Sequence, residues 1–246
     1  MPHPSRLMPE NSEGETVHTI DATGRTTREV NAAIREAIAA GADAIHVINT
    51  EAKHNLGVGL LARVRLTLEG SVGYYCGGMI DGPSIEVRGN AGWGLAECMM
   101  GGSVTVDGHA GNGAAASIRG GTVVVRGNAA ARAGIAMKGG LLVVGGGVGY
   151  MTGFMMQRGT IVVCGDADEA LADSMYEGRV FVGGKIAELG NDAVVNEVTA
   201  EDRAFLRDAL AHLGASLDGF DFKKVESGRR LWNFDKKEFE VWKAAL

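Results

Sequence analysis

The chain has 246 residues, of which 46% are hydrophobic and 22% are charged, a balance typical of a folded protein. Its 38 glycines are accompanied by only 4 prolines, which argues against collagen and against disordered Pro/Gly-rich sequence. The formal net charge is −6 without a block of basic residues, so we expect neither nucleic acid nor anionic lipid as a partner.

The cysteines and the N-terminal segment favour a cytoplasmic protein. Three cysteines is an odd number and they form no C-x-x-C pair, which predicts reduced thiols. Residues 1–16 are polar, contain no apolar signal-peptide core and are predicted to be disordered. The uncharged segment Gly139 to Gln157 contains seven glycines, so it is interpreted as two strands with turns rather than a membrane span.

Residues 17–62 predict a small α/β cap made of a strand, a helix and a second strand. Thr26 and Glu29 form a capping-box pattern at the start of the helix, and Gly41 ends it. Such a helix would cover the first coil of the repeat that follows, because an uncovered end is an unpaired sheet edge. The apolar face of the helix consists of Val30, Ile34, Ala37 and Ile38.

Residues 63–196 contain a repeat with a period of nineteen and no insertions. A glycine recurs seven times at this spacing, and the residues four and two positions before it are apolar in every copy. This alternation is typical of one face of a short strand. The repeat glycines are Gly70, Gly89, Gly108, Gly127, Gly146, Gly165 and Gly184.

A repeat unit of this kind cannot bury its apolar face alone, whereas stacked copies can. The sequence therefore predicts an all-β solenoid, a right-handed parallel β-helix of about seven coils. Glycine is expected at the corners for two reasons: Cβ atoms of successive coils would collide there, and positive φ is open mainly to glycine. The residues that follow the repeat glycines, from Ser71 to Lys185, are expected at turns with left-handed backbone.

The outward-facing positions three residues before the repeat glycine change character along the chain. They are polar in the first three coils, with Thr67, Glu86 and Thr105, and apolar in the last four. A solvated sheet face should alternate, so we expect the last four coils to be covered, either by the C-terminal helix and tail or by another subunit. These predicted interface residues are Val124, Val143, Val162 and Phe181.

Residues 197–246 predict a C-terminal helix followed by a docking tail. Thr199 is the expected N-cap, and Leu206, Leu210 and Leu213 lie in line on one helical face. The tail contains two of the three tryptophans beside several lysines and arginines, a composition typical of a segment that docks on a surface.

We predict no catalytic, cofactor-binding or metal-binding residue on this chain. The glycine-rich stretches fail the G-x-G-x-x-G spacing of dinucleotide sites. His109 is interpreted as a turn residue, and Cys76 and Cys98 as small apolar residues. The acidic group Asp168, Glu169 and Asp173 is interpreted as a solvated turn, and residues 51–61 as an entry loop into the first coil.

The coil sequences "VRGNAGWGLAECMMGG" and "VDGHAGNGAAASIRGG" resemble the Gly-X-Gly-X-Gly β-helix domain of glutamate synthase large subunits. The similarity includes "KHNLGVGLL", "VGYYCGGM" and "GRRLWNF" and covers about residues 19–234. Free-standing versions of this domain occur as the β-helix subunit of N-methylglutamate synthase and related complexes. In that family the β-helix is a scaffold that supplies no known catalytic residue.

The resemblance implies a hetero-oligomer with two kinds of partner: one like class II glutamine amidotransferases, and one that carries FMN and an iron–sulfur cluster. The implied activity of the complex is formation of N-methyl-L-glutamate and ammonia from L-glutamate and methylamine. Two alternatives remain within related families: a glutamate synthase domain that exists as a separate subunit, and the β-helix subunit of a formylmethanofuran dehydrogenase or formyltransferase/hydrolase complex. A free-standing enzyme with a groove on the β-helix would need carboxylates aligned along adjacent coils, which the outward positions do not supply.

Overall fold

The computed structural model describes residues 17–230. The predicted disordered N-terminus (residues 1–16) and the docking tail from residue 231 onward lie outside this range. The described residues form an 11-stranded sheet and two helices, in which strands β1 to β9 follow the chain order and β11 lies between β9 and β10. The elements are β1 (Val17–Asp21), α1 (Thr27–Ala39), β2 (Ala44–Ile48), β3 (Arg65–Glu69), β4 (Ser84–Arg88), β5 (Ser103–Val106), β6 (Thr122–Val125), β7 (Lys138–Val144), β8 (Arg158–Val163), β9 (Arg179–Val182), β10 (Ala193–Asn196), α2 (Ala200–Ala211) and β11 (Lys223–Ser227).

Strands β3 to β9 stack as the seven coils of a parallel β-helix, as predicted. The coils are numbered 1 to 7 from β3 to β9. Each strand pairs in parallel with the next, and equivalent positions of the repeat lie side by side, so that Leu66 lies beside Ile85 and Ile85 beside Val104. A second ladder of single parallel bridges begins with Val72 beside Ala91 and ends with Ala167 beside Ile186.

The interior of the coils is filled by apolar side chains. The residues four and two positions before each repeat glycine are buried in all seven coils, and they belong to one continuous cluster. Close packing of these side chains contributes most of the favourable free energy of folding, since burial of each Val or Ile removes its surface from water. The predicted inward face is confirmed.

One of the two reasons predicted for the repeat glycines is correct and the other is wrong. A Cβ on Gly108 would lie 2.8 Å from the carbonyl oxygen of Gly89, and one on Gly127 would lie 2.7 Å from that of Gly108. Glycine is therefore required by the approach of successive backbones. Of the seven repeat glycines only Gly70 has a positive φ, and the residues from Ser71 to Lys185 that follow them do not have left-handed backbone either.

Left-handed backbone instead occurs in two other parts of the coil. One is a second glycine corner, formed by Gly102, Gly121, Gly140, Gly159 and Gly178, and the other is a curved segment five to nine residues after each repeat glycine, which we call the arc. In coils 1 to 6 the fifth, seventh and ninth residues after the glycine all have positive φ, including Ala115 and Ser117 in coil 3. Because of this alternation, the N–H groups of the seventh and ninth residues point toward opposite neighbouring coils. Ala115 donates to the Leu95 carbonyl of the preceding coil, and Ser117 donates to the Ile135 carbonyl of the following coil, both at 2.8 Å.

The N-terminal strand, helix and strand form as predicted. Thr26 and Glu29 make the capping box of α1, and Gly41 follows the helix with a φ of 90°. The apolar face of α1 packs into the same cluster as the coil interior, so it covers the first coil. Strands β1 and β2 extend the parallel sheet, and Asn55 donates to the Tyr74 carbonyl at 2.7 Å, so the predicted entry loop continues the stack of coils.

The predicted C-terminal helix is α2, with Thr199 as N-cap and Asp202 completing a capping box. After α2 the chain returns as β11, which pairs antiparallel with both β9 and β10. This antiparallel pairing closes the parallel stack at its last coil, where an exposed edge would otherwise remain.

Candidate functional site

The four residues predicted as an interface lie on the outer face of the last four coils and are buried. Val143, Val162 and Phe181 form a second apolar cluster with Leu206 and Leu210 of α2. Val124 is 3% exposed at the edge of this region. Over coils 5 to 7 the cover is thus the C-terminal helix of the same chain, which belongs to the first of the two alternatives considered.

His109 and the buried cysteines have structural roles. His109 accepts a hydrogen bond at Nδ1 from the Asn128 N–H (2.9 Å), and its own N–H donates to Asn90 Oδ1 (2.8 Å), which places it in a row of side chains that bridge corners. Burial raises the pKa of the Cys76 thiol to about 12 and that of Cys164 to about 11, so neither is a thiolate at neutral pH. All three cysteines are free thiols.

Several charged side chains on the coils pair with a neighbour one coil away. Arg88 lies 3.3 Å from Glu69, and Arg126 lies 3.2 Å from Asp107. Within the acidic group, Asp168 and Glu169 are exposed, whereas Asp173 is buried and accepts hydrogen bonds from Ser174 and Asn191. Within residues 17–230 no group of three or more His, Cys, Asp or Glu side chains is placed to hold a metal ion.

A buried ionic network fixes α2 against the end of the β-helix. Asp202 accepts from Arg179 at 3.0 Å and from Lys224 at 2.9 Å, while its side chain also caps α2 through Thr199. Burial raises the pKa of Asp202, but the hydrogen bonds from Thr199 and Lys224 outweigh it and bring the pKa below its ordinary value. The hydrogen bond to Asp202 raises the pKa of Lys224.

An exposed row of aromatic rings on the first coils is the strongest candidate for a functional surface. The ring of His54 stacks on that of Tyr74 with centroids 4.5 Å apart, and Tyr74 stacks on Trp93 with centroids 5.5 Å apart. We call these three residues the aromatic stack. Trp93 is 53% exposed and Tyr74 is 42% exposed, so their faces and edges are open to solvent.

Backbone hydrogen bonds at the start of the arc hold the aromatic stack in place. Tyr74 and Trp93 are both the fourth residue after a repeat glycine, and the Tyr75 N–H donates to the Trp93 carbonyl at 2.8 Å. The Tyr74 N–H donates to Nδ1 of His54 at 2.8 Å, which fixes the imidazole ring against the phenol ring. Tyr75, Met79 and Met100 are also exposed nearby in sequence.

This surface suits protein docking better than chemistry. Exposed Trp, Tyr and Met side chains are enriched in the cores of protein interfaces, where rigid aromatic rings contribute large contact areas. The aromatic stack was not predicted from the sequence, although Tyr74 and Trp93 share a position in consecutive repeats. His54 lies one position further from Tyr74 than the period of the repeat, which removes it from the repeat register.

The described residues define an extended parallel β-helix with one face covered by α2 and an exposed aromatic face on its first coils. A scan against protein-family models and a search of curated proteins found no match for this chain. Among the described helices, neither has the length and apolar character needed to cross a membrane.

Proposed function

We propose that this chain is a non-catalytic scaffold subunit of a cytoplasmic amidotransferase-type synthase, and that the complex makes N-methyl-L-glutamate. In this proposal L-glutamate and methylamine give N-methyl-L-glutamate and ammonia. The chemistry takes place on two partners, a class II glutamine amidotransferase-like subunit and a synthase subunit, and the latter holds FMN and the iron–sulfur cluster.

The observation that carries the scaffold role is the aromatic stack on a rigid wall. The His54 ring is fixed by a hydrogen bond, and the rings of Tyr74 and Trp93 stack on backbone that is hydrogen-bonded between coils, so little conformational entropy is lost when a partner covers them. The coil interior is filled by buried apolar side chains, and several ionic side chains pair along the stack. The resemblance of the coil sequences to the glutamate synthase β-helix domain supports the choice of complex.

The alternatives predict different partners and products. A separate glutamate synthase subunit would assemble with the same two kinds of partner, but the complex would form glutamate from glutamine and 2-oxoglutarate. A subunit of a formylmethanofuran or formyltransferase/hydrolase complex would assemble with formyl-transferring proteins instead. The strand, helix and strand of the N-terminal cap and the segment "HNLGVGL" favour the first proposal over the last.

Purification of the tagged chain from its native cell tests this proposal. We expect two further polypeptides and a flavin absorbance spectrum in the complex, while the isolated chain is colourless. The purified complex should convert L-glutamate and methylamine to N-methyl-L-glutamate, measured by mass spectrometry with ¹⁵N-methylamine. Glutamate formed only from 2-oxoglutarate and glutamine would support the glutamate synthase alternative, and flavin held by this chain alone would contradict the scaffold role.

A further inference from the structure

A second exposed apolar surface lies on the arc of coil 5, three coils away from Trp93. Tyr150 and Met155 are both 43% exposed, and Met151 and Phe154 are half-buried beside them in sequence. We call these four residues the coil 5 patch. Their backbone is fixed by neighbouring coils, since Met151 donates to the Glu169 carbonyl and Met155 to the Asp173 carbonyl.

The two sides of this patch differ in charge: the coils before it carry positive charge, whereas coil 6 carries the exposed carboxylates of Asp168 and Glu169. The sequence from residue 108 to residue 165 contains five Lys or Arg residues and no Asp or Glu. Arg126 and Arg158 pair with acidic residues outside this stretch. Arg119, Arg132 and Lys138 have no ion pair with another residue of the described range, and they lie on or next to the arcs of coils 3 to 5.

The described chain ends on the same side of the molecule. Ser174 of coil 6 donates to the Asn191 carbonyl, which repeats the contact between Met155 and Asp173, so Asn191 and Asp192 belong to the arc of coil 7. The Arg230 N–H donates to the Asp192 carboxylate at 3.0 Å. The segment 231–246 therefore starts from the arc side of the last coil.

The segment 231–246 has the length and composition to cover the coil 5 patch. Coil 7 and coil 3 are four strand spacings apart, about 19 Å. A segment of this length spans about 24 Å at the rise of a helix and about 50 Å when extended. Its sequence "LWNFDKKEFEVWKAAL" contains four aromatic residues, three acidic residues and three lysines, and the carboxylates of Glu238 and Glu240 flank Phe239. The aromatic side chains suit the apolar patch, the carboxylates suit the unpaired basic side chains on one side of it, and the lysines suit the carboxylates of coil 6 on the other.

We propose that residues 231–246 of this chain dock on the arcs of coils 3 to 5, with their aromatic side chains on the coil 5 patch and their carboxylates beside Arg119, Arg132 and Lys138. This inference concerns the isolated chain and does not depend on the proposed function. The docked segment covers a different part of each coil from the strands that α2 covers.

Hydroxyl-radical footprinting of the full chain and of a chain that stops after Arg230 tests this proposal. Because methionine oxidation follows the exposure of the sulfur, we expect Met155 to react about five-fold faster in the shortened chain. Tyr150 should change in the same direction. Met79 and Trp93 on coils 1 and 2 are internal controls whose rates should stay the same in both chains.

A pair of full-length variants separates docking from loss of folding. Phe239→Ser combined with Trp242→Ser should reproduce the faster reaction of Met155, whereas Ala244→Ser combined with Ala245→Ser should leave it slow. Equal Met155 rates in the full and shortened chains would overturn the proposal. Protection that disappears on dilution, together with a dimer mass by light scattering, would assign the segment to a second copy and would also overturn it.

Discussion

Successive coils are in close contact at the repeat glycines, so a Cβ added there should destabilise the fold. Gly127→Ala would place a Cβ 2.7 Å from the Gly108 carbonyl oxygen, and neither backbone can move without breaking the ladder. We expect the free energy of unfolding to fall by about 3 kcal/mol or more, measured by urea denaturation.

Gly113 provides the matched control for this substitution. It has a φ of 72°, but the nearest atom to an added Cβ is the Gly94 nitrogen at 3.9 Å. Gly113→Ala therefore carries only the cost of a left-handed alanine, about 1 kcal/mol. An equal loss in the two variants would show that backbone conformation, and not contact between coils, selects glycine at the repeat position.

The sequence identified the positions that require glycine, but only one of the two reasons predicted for the repeat glycines was correct. The regular spacing identified the repeat glycines, since close contact recurs once per coil. Spacing does not encode φ, so left-handed backbone was predicted at and after the repeat glycines. In the structure it occurs at the second glycine corner and in the arc, where the left-handed residues include Tyr75 and Met79. The hydrogen bonds between coils impose that conformation, and no single repeat shows them.

The contact between α2 and the last coils is the main interaction between elements. Val143 is fully buried against this helix, so Val143→Asp would place a carboxylate in an apolar cluster without a partner. We expect a loss of about 3 kcal/mol or more in the free energy of unfolding. Val195→Asp, at a position that is half exposed, should change it by less than about 0.5 kcal/mol. An unchanged melting temperature in Val143→Asp would rule out this packing of α2.

The ionic network around Asp202 makes the attachment of α2 depend on pH. Because the pKa of Asp202 is lower in the folded state, its contribution is present above the ordinary value of 3.8 and is lost as the pH falls through the folded pKa. The raised pKa of Lys224 gives a contribution that is present below 10.5 and is lost as the pH rises through its folded pKa.

Asp202→Asn tests this dependence. We expect the variant to be less stable by about 2 kcal/mol near neutral pH, because Arg179 loses its pair with the carboxylate and Lys224 keeps only the longer one with Glu226. The difference from the unsubstituted chain should shrink below pH 3.8, where the carboxyl is protonated in the unfolded state. Chemical denaturation over a pH series measures this, and a difference that persists unchanged at low pH would contradict it.

Apart from the coil strands, which the period predicted, the elements that the sequence predicted are those with a local signal. The helices α1 and α2 have capping boxes and apolar faces that are visible in a dozen residues. Strands β10 and β11 were not predicted, because their sequences Ala193–Asn196 and Lys223–Ser227 lack a clear alternation and depend on pairing with β9. Tertiary contact decides their conformation.

The whole molecule follows from the period of the sequence, whereas its role follows from surfaces that the period does not describe. The stack of seven coils was predictable because every coil repeats the same inward side chains. The aromatic stack and the coil 5 patch interrupt that repetition, since the position of Tyr74, Trp93 and Tyr150 is not aromatic in any other coil. The identity of the partners depends on the chemistry of those surfaces, so the period does not predict it and it is a proposal.

Assembly of the proposed complex with variants of the aromatic stack tests the scaffold role most directly. Trp93→Ala combined with Tyr74→Ala should weaken assembly by at least about ten-fold, because exposed aromatic rings at an interface contribute more than about 1.4 kcal/mol. Assembly is measured by titration of this chain into its two partners, and turnover is measured per assembled complex. The account predicts weaker assembly with unchanged turnover per complex. Unchanged assembly with reduced turnover would contradict it, since the chain would then take part in the chemistry.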